Sequence, residues 1–188
     1  MEYKLKNGQS VIIREPKIED AEAVISVISK ADTETLFLAR NPGEFGTGIE
    51  KEKSIIEGVL RNQDSTWFVA EYDGKVVGQC SMGLVRGYQR YRHRAEVAFV
   101  LLKEFCDIGI GGKMMLECIK WCEEHRVTQI ELDVVTNNDR ALAMYKNFEF
   151  EIVGTMPNAL KYTDGTYADE YKMVKNLFLR RNYDEEMV

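Results

Sequence analysis

The sequence predicts a mixed α/β fold of the α+β type, with a mostly antiparallel sheet, one parallel strand pair and helices on both faces. Asp73-Gly74 separates two β-rich runs, a strong indication of an antiparallel hairpin. A helical pattern over about 111–125 separates two apolar runs, so these two strands would pair in parallel across a helical crossover. Two strand-like runs, 151–155 and 167–174, complete the pattern after another helix.

The first half of the chain contains a strand, two helices and the hairpin. Residues 10–14 form a short strand closed by Glu15-Pro16, and 41–48 form a glycine-rich loop that is a candidate mobile element. Apolar residues at three- and four-residue spacing predict one helix before this loop and a second after it. They are Ala21, Val24, Ile25 and Ile28 in the first helix and Ile49, Ile55, Ile56, Val59 and Leu60 in the second. The hairpin strands are 67–72 and 75–85.

The second half alternates strands and helices. A linker, 86–94, leads to strand 95–102, the crossover helix and strand 129–135. The next helix is marked by Ala141, Met144, Tyr145 and Phe148, and the last two strands are joined by a loop containing Asp164-Gly165. Because no repeat or linker interrupts the chain, we expect a single domain over 1–188, with a core of about 10–176 and a loosely ordered polar tail, 177–188.

Composition excludes several functional classes. The 188 residues carry a net charge of −6, which argues against nucleic-acid binding driven by phosphate neutralisation. The longest apolar run, 97–102, is far short of the roughly 20 residues that cross a bilayer. The four cysteines lack the spacing of a disulfide framework, and the first residues lack the apolar region of a signal peptide. We therefore expect a cytoplasmic protein without nucleic-acid or membrane partners.

The strongest functional signal follows strand residues Phe99-Val100-Leu101-Leu102. The turn reads Cys106-Asp107-Ile108-Gly109-Ile110-Gly111-Gly112-Lys113 and opens a helix. Glycines let the backbone approach a ligand, and the first turn of a helix offers unpaired N–H groups to an anion. The spacing fits neither a dinucleotide fingerprint, which needs glycine at Met114, nor a phosphate loop, which needs a hydroxyl there. The alternative is a tight turn without a ligand.

A second motif strengthens this interpretation. It reads Asn138-Asp139-Arg140-Ala141-Leu142-Ala143-Met144-Tyr145-Lys146-Asn147-Phe148-Glu149-Phe150. In order and spacing the two motifs resemble those of the GCN5-related N-acetyltransferase (GNAT) superfamily, and the resemblance extends over 12–176. The segment 164–173 is similar to the closing hairpin of members that acetylate small amines or amino acids.

The resemblance implies acetyl-CoA as co-substrate and a splayed parallel strand pair between which its pantetheine arm inserts. An N–H group near Phe99 to Leu101 would polarise the thioester carbonyl, and Asn138 would bond the pantetheine arm. The implied cofactor-binding residues are Phe99, Val100, Leu101, Cys106, Asp107, Ile108, Gly109, Ile110, Gly111, Gly112, Lys113, Asn138 and Ala141.

Two positions depart from the family pattern. Cys106 replaces an Arg or Gln, so phosphate affinity would depend on backbone amides and Lys113. Glu149 replaces a Gly near a helix end that commonly needs the left-handed conformation. Cys106 can also be interpreted as a reactive thiol or as a small loop residue.

Acetyl transfer to an amine needs a base for the ammonium and an acid for the departing thiolate. Tyr145 is the acid that the resemblance implies, and protonating the thiolate from a tyrosine is uphill by only about 2 kcal/mol. The alternative for Tyr145 is a packing role on its helix. Glu96 is the candidate base, but strand alternation can equally face it to solvent or to Arg94, and ordered water can replace it.

The remaining constellations have simpler explanations. Cys118, Cys122 and His125 share one helix face, which we interpret as a core stripe and not as a metal site. The basic, tyrosine-containing segment 86–94 is interpreted as a solvated tip or a contact for an acidic partner.

The sequence thus favours an acetyl-CoA-dependent N-acetyltransferase that acts on an amine of a small molecule or peptide by direct transfer in a ternary complex. A catalytically silent acyl-CoA-binding module is the alternative from another class, and a longer acyl group is a third possibility. A homodimer is common among look-alikes.

Overall fold

A computed structural model describes residues 1–177, which contain eight strands and four helices. Nearly all of the predicted polar tail, 178–188, lies outside the described residues. The strands are β1 (Glu2–Lys4), β2 (Ser10–Arg14), β3 (Ser65–Tyr72), β4 (Lys75–Leu84), β5 (Arg94–Leu101), β6 (Gln129–Val135), β7 (Glu151–Lys161) and β8 (Tyr167–Asn176). The helices are α1 (Ala21–Glu34), α2 (Ile49–Arg61), α3 (Ile110–Glu124) and α4 (Asp139–Asn147).

The hydrogen-bonded strand order is β1-β2-β3-β4-β5-β6-β8-β7. The pairs β1–β2, β2–β3, β3–β4, β6–β8 and β7–β8 are antiparallel, and β5–β6 is parallel. The parallel pair is joined by α3, because parallel strands need a crossover connection, which is usually a helix. The predicted fold class is therefore confirmed.

The chain divides into two compact units. The first unit contains 1–83 and 98–119, and the second contains 84–97 and the described residues from Lys120 onward. Strand β5 and helix α3 each begin in one unit and end in the other. The single domain expected from the sequence stays a prediction.

In the first unit, helices cover both faces of the strands. On one face α1 and α2 pack against β3 through an apolar cluster of Ala21, Val24, Ile28, Ile56, Trp67 and Val69. On the other face α3 packs against β4, where the Sγ atoms of Cys80 and Cys118 are 3.5 Å apart. The register explains which residues face which helices. Val69 pairs with Gln79, and the neighbouring Phe68 pairs with Cys80. Because successive residues of a strand face opposite sides of the sheet, Val69 lies on the side of α1 and α2 and Cys80 lies on the side of α3.

The hairpin predicted at Asp73-Gly74 is confirmed. Asp73 and Gly74 have φ of 50° and 70°, the two positive values that a type I′ turn needs. This turn twists in the same sense as the two strands and therefore sets their register.

In the second unit, β6 provides the buried centre. Ile130 and Leu132 of β6 and Met173 of β8 are fully buried or nearly so. Helix α4 packs against the residues that follow it through the rings of Tyr145 and Phe150, whose centroids are 5.8 Å apart.

Strand β7 is longer than the predicted 151–155. The sequence pattern stops at Met156-Pro157, because proline cannot donate to a strand ladder and normally occurs at edges or bulges. In the structure the pairing with β8 shifts register between Met156 and Leu160 and continues to Lys161. Strand β1 was not predicted, since three residues are too few to show a period.

No helix within residues 1–177 combines the length and the apolar character needed to cross a bilayer.

Candidate functional site

The strand–turn–helix segment of the first unit contains a tight turn directly before a helix. Asp107 and Gly109 adopt φ of 63° and 102°, which reverse the chain before α3 begins at Ile110. The Lys113 N–H donates to the Gly109 carbonyl at 3.2 Å, so regular helical bonding starts there. The amides of 110–112 belong to the first turn, where a helix has no carbonyl of its own to bond them. These amides are available to a phosphate group.

The space beside this turn is open. A Cβ atom built on Gly109 has no other atom within 4 Å. The opposite side of the turn is fastened to the N-terminal segment, because the Lys6 N–H donates to the Ile108 carbonyl at 3.3 Å. Cys106 is partly buried, and its thiol donates to the Leu102 carbonyl at 3.6 Å. The thiol therefore takes part in the turn itself.

Lys113 is the cationic side chain of the motif, and its position is set by β1. The Lys113 Nζ atom lies 5.2 Å from the centre of the Tyr3 ring, which is cation–π geometry. The Tyr3 hydroxyl in turn donates to Glu117, one helical turn beyond Lys113. Tyr3 was not predicted as a site residue, because no local pattern indicates a contact between residues so distant in the chain.

The strand before the turn is packed closely against β4. A Cβ atom on Gly78 would lie 2.7 Å from Leu101 Cδ1 and 2.8 Å from the Val100 carbonyl oxygen. Glycine at 78 is therefore what allows this approach. Val100 is 7% exposed and packs with Val27 and Ala31 of α1. Phe99, Val100 and Leu101 thus form a fixed edge at the end of β5.

In the second unit, the parallel pairing covers Arg94 to Glu96 of β5 and Gln129 to Glu131 of β6. Strand β6 then continues to Val135, paired with β8, and the Thr136 N–H donates to the Asp169 carbonyl at 2.9 Å. In the described strands, the registered pairing of β5 with β6 thus stops at Glu96, although both strands continue.

Asn138 caps α4. Its Oδ1 atom accepts the Ala141 N–H at 3.3 Å, and its own N–H donates to the Val135 carbonyl at 2.9 Å. The cap uses Oδ1 as an acceptor, and the Nδ2 group, which is the donor of this side chain, can donate to a ligand carbonyl. Asn138 and Ala141 are thus brought together at the start of the helix that carries Tyr145.

Tyr145 lies in the last part of α4 and is 7% exposed. The Tyr145 carbonyl accepts N–H groups from Phe148 and Phe150, each at 3.0 Å, so the backbone here is fully bonded. This burial holds the ring in one place, which suits both a positioned phenol and a packing residue.

Glu96 is exposed between the buried Ala95 and Val97, as strand alternation predicts. Its carboxylate accepts a hydrogen bond from Lys172 Nζ at 3.0 Å, and the same ammonium lies 3.1 Å from Asp133 Oδ2. Burial works to lower the pKa of Lys172, but the bonds to Glu96 and Asp133 outweigh it and raise that pKa. Lys172 is therefore a cation that faces the candidate base.

Arg94 pairs with Glu131 and not with Glu96, whose partner is Lys172. The carboxylate of Glu131 accepts from Arg94 through two nitrogens, one of them Nη2 at 2.9 Å, and from Gln129 at 2.8 Å. Burial works to raise the pKa of Glu131, yet these hydrogen bonds outweigh it and hold that pKa below its usual value. Glu131 is 2% exposed and was not among the predicted site residues, although a glutamate within an apolar run of the sequence is a pattern that could have indicated it.

Glu149 adopts φ of 62°, the left-handed conformation expected where the family has glycine. Its carboxylate accepts from Lys175 Nζ at 3.0 Å, and Lys175 is 4% exposed. The backbone of this helix end is therefore kept despite the substitution, and the side chain gains a buried partner.

The cysteine and histidine residues of α3 and its end belong to the packing of the fold. Cys118 and Cys122 are fully buried, and the His125 Nδ1–H donates to the Trp121 carbonyl at 2.8 Å. Among residues 1–177, no group of three or more His, Cys, Asp or Glu side chains is arranged to hold a metal ion.

Comparison with known proteins defines the class. A model of the acetyltransferase (GNAT) family matches residues 31–150, which is more than half of the chain. The chain therefore belongs to the GNAT family of acetyltransferases.

Individual relatives agree with this class. The chain is 34% identical over 110 residues to the L-amino acid N-acetyltransferase AaaT of Escherichia coli (strain K12). This match covers 57% of the chain and 65% of the relative, just under two thirds of its length.

Solved structures share the fold. A GNAT-family acetyltransferase from Streptococcus pneumoniae superposes with a TM-score of 0.83 at 22% identity, covering 88% of this chain and 99% of that one. YncA from Salmonella typhimurium, solved with its cofactor acetyl-CoA, superposes with a TM-score of 0.78 at 17% identity, covering 89% and 94% of the two chains.

Proposed function

We propose that this protein is an acetyl-CoA-dependent N-acetyltransferase that transfers the acetyl group to a primary amine of a small molecule or peptide. The observation that carries the proposal is the turn at 106–113, where Asp107 and Gly109 reverse the backbone in front of the first-turn amides of α3. Family membership supports the same activity.

The first unit would bind the pyrophosphate. The turn from Cys106 to Lys113 offers amide N–H groups, and Lys113 adds a positive charge that Tyr3 holds in place. The open space beside Gly109 suits the close approach of a phosphate to the backbone. Cys106 stands where the family has an Arg or Gln that could contact phosphate. Main-chain N–H donors and Lys113 would compensate for that missing contact.

The second unit would contribute Asn138 and Tyr145. Asn138 Nδ2 would donate to a pantetheine carbonyl, while its Oδ1 keeps α4 capped. In the reaction, the amine nitrogen bonds to the acetyl carbon and the carbon–sulfur bond breaks. Glu96 or an ordered water would take one proton of the ammonium before attack, and Tyr145 would give its proton to the departing thiolate. The second proton that the nitrogen loses as the amide forms would restore the Tyr145 hydroxyl.

The Glu96 carboxylate already has a partner, because Lys172 Nζ donates a hydrogen bond to it at 3.0 Å. As a base it would have to release this contact or act through water beside it. Full activity of Glu96→Gln across the pH range would assign the step to water alone.

The acceptor class is supported by the relatives. One of them is named an L-amino acid N-acetyltransferase, and another, from Sulfolobus acidocaldarius, is named an N-alpha-acetyltransferase at 25% identity over 126 residues. Both names describe acetylation at an amine. Free amino acids and peptide N-termini are therefore the acceptors to test first.

The test is release of free thiol from acetyl-CoA in the presence of L-amino acids, polyamines and short peptides. We expect release that depends on one class of amine. Uptake of acetyl-CoA without release across the panel would favour a silent acyl-CoA-binding module instead. If calorimetry detects no uptake of acetyl-CoA or CoA by the folded protein, both proposals are wrong. The homodimer and the cytoplasmic location stay predictions.

A further inference from the structure

Glu170 of β8 lies beside the backbone that holds Asn138. It pairs directly with Val135, at the end of β6. The Val135 carbonyl accepts the Asn138 N–H at 2.9 Å. Next to Glu170, the Asp169 carbonyl accepts the Thr136 N–H, also at 2.9 Å. These bonds fix the backbone around Glu170 at the point where β6 leads into the second motif.

Glu96, the base candidate indicated by the sequence, stands further from this end of β6. It pairs with Glu131, four residues before Val135, which is a separation of about 13 Å along a strand. Its carboxylate already accepts a hydrogen bond from Lys172 Nζ. The Glu170 side chain, in contrast, makes no hydrogen bond or ion pair with any residue of 1–177. Glu170 is therefore the carboxylate at this end of β6 that can accept a proton without first releasing a partner.

The surroundings of Glu170 favour the uptake of a proton. Burial and the charge of Asp133 raise the pKa of its carboxyl, and the charge of Lys172 opposes them only in part. Burial and, after it, the charge of Glu170 raise the pKa of Tyr162. The residue that pairs with Glu170 from β7 is the uncharged Met156. A raised pKa brings a carboxyl closer to neutral pH, where a general base is most effective.

An ordered water can relay a proton but cannot keep it, because a hydronium ion is a far stronger acid than a carboxylic acid. A carboxylate within reach of that water therefore has to accept the proton in the end. Glu170 is placed for this role by its pairing with Val135, and it is partly buried, so that its carboxylate is not fully hydrated.

We infer that Glu170 is the carboxylate that accepts the proton of the acceptor ammonium, directly or through one ordered water. This inference rests on the proposed function. In the step, one N–H bond of the ammonium breaks and one O–H bond forms on Glu170. The neutral amine then attacks the acetyl carbon, and Glu170 releases its proton to solvent after the product has left.

The test is the pH dependence of kcat/KM for acetyl transfer from acetyl-CoA to L-amino acids, polyamines and short peptides. Glu170→Gln removes the proton acceptor at nearly constant volume. At pH 7 we expect its kcat/KM for the amine to fall by about 100-fold, the lower range for loss of a general base, with acetyl-CoA affinity nearly unchanged. The loss should shrink as pH rises toward the pKa of the amine, because a neutral amine needs no base. Glu170→Asp keeps a carboxylate and should restore part of the rate.

Glu151→Gln is the matched control, because Glu151 is an exposed carboxylate of the neighbouring strand β7. It should keep the wild-type kcat/KM at every pH. Thermal unfolding shows that the variants are folded. Glu170→Gln should unfold at the wild-type temperature or above it at pH 7, since burial and Asp133 disfavour the ionised carboxylate that it replaces.

Equal kcat/KM for the wild type and folded Glu170→Gln, or a loss that is the same at every pH, overturns the inference and leaves the proposed function standing. A wild type that releases no thiol with any amine of the panel contradicts the proposed function, and the role of Glu170 fails with it.

Discussion

At the scale of single residues, Tyr3 links β1, a strand that was not predicted, to the helix that follows the turn of 106–113. Its ring lies 5.2 Å from Lys113 Nζ and its hydroxyl bonds to Glu117. Lys113 is thereby restrained near the first turn of α3. Tyr3 is a positioning residue, since its contacts hold Lys113 in place.

We expect Tyr3→Leu to raise the KM for acetyl-CoA about threefold to tenfold, which corresponds to a cation–π contribution of about 1 kcal/mol. The kcat should stay within about twofold, because the chemical step does not involve Lys113. Tyr3→Phe keeps the ring and should restore most of the affinity. Equal KM values for Tyr3→Leu and the wild type would show that Lys113 needs no support.

Tyr145 is the residue that we propose as the general acid. Tyr145→Phe keeps the buried ring and removes the hydroxyl, so the packing against Phe150 is preserved. We expect kcat to fall by about 100-fold, the lower range for loss of a general acid, with acetyl-CoA affinity nearly unchanged. Steady-state kinetics and calorimetry measure the two quantities. Unchanged turnover would leave Tyr145 with the packing role alone.

At the scale of elements, the β5–β6 pair is reinforced by the buried contact between Arg94 and Glu131. Hydrogen bonds from Arg94 and Gln129 hold the pKa of Glu131 below its usual value against the opposing effect of burial. In the unfolded chain this carboxyl would take up its proton at higher pH than in the native state. Its stabilising contribution is therefore present above pH of about 4.3 and is lost as pH falls through the lowered native pKa.

Glu131→Gln should therefore lower the free energy of unfolding at pH 7 by about 1–3 kcal/mol, the range for hydrogen bonds to charged groups. The difference from the wild type should shrink as pH falls through the lowered native pKa of Glu131, below which both side chains are neutral. Urea unfolding at several pH values measures this. A difference that stays constant with pH would mean that Glu131 acts by packing and not by charge.

The elements were largely predictable because each has a local cause. Asp73-Gly74 has the turn chemistry of a hairpin, and α3 has a helical pattern that begins at a group of glycines. The end of β7 was not predictable, because a proline interrupts the pattern and pairing with β8 resumes beyond the irregularity. Glu149 was predictable in conformation, since the position near a helix end favours left-handed backbone, but its partner Lys175 was not.

At the scale of the whole molecule, uptake of acetyl-CoA should appear as increased stability. A ligand at 100 times its Kd stabilises the native state by about 2.7 kcal/mol. For a chain of this size that corresponds to a rise in Tm of about 5–10 °C. Pantetheine at the same concentration lacks the pyrophosphate and should raise Tm much less. Equal shifts from both ligands would contradict binding at the turn of 106–113.

The sequence by itself determined the order of strands and helices after β1, the hairpin turn and the two motifs of the GNAT family. These features depend on residues within a few positions of one another, where period, turn chemistry and spacing can be seen directly. Tertiary structure alone decided that Tyr3 supports Lys113, that Arg94 pairs with Glu131 and that Glu52 is buried without a partner for one oxygen. Those contacts join residues far apart in the chain, and packing, which no local pattern encodes, brings them together.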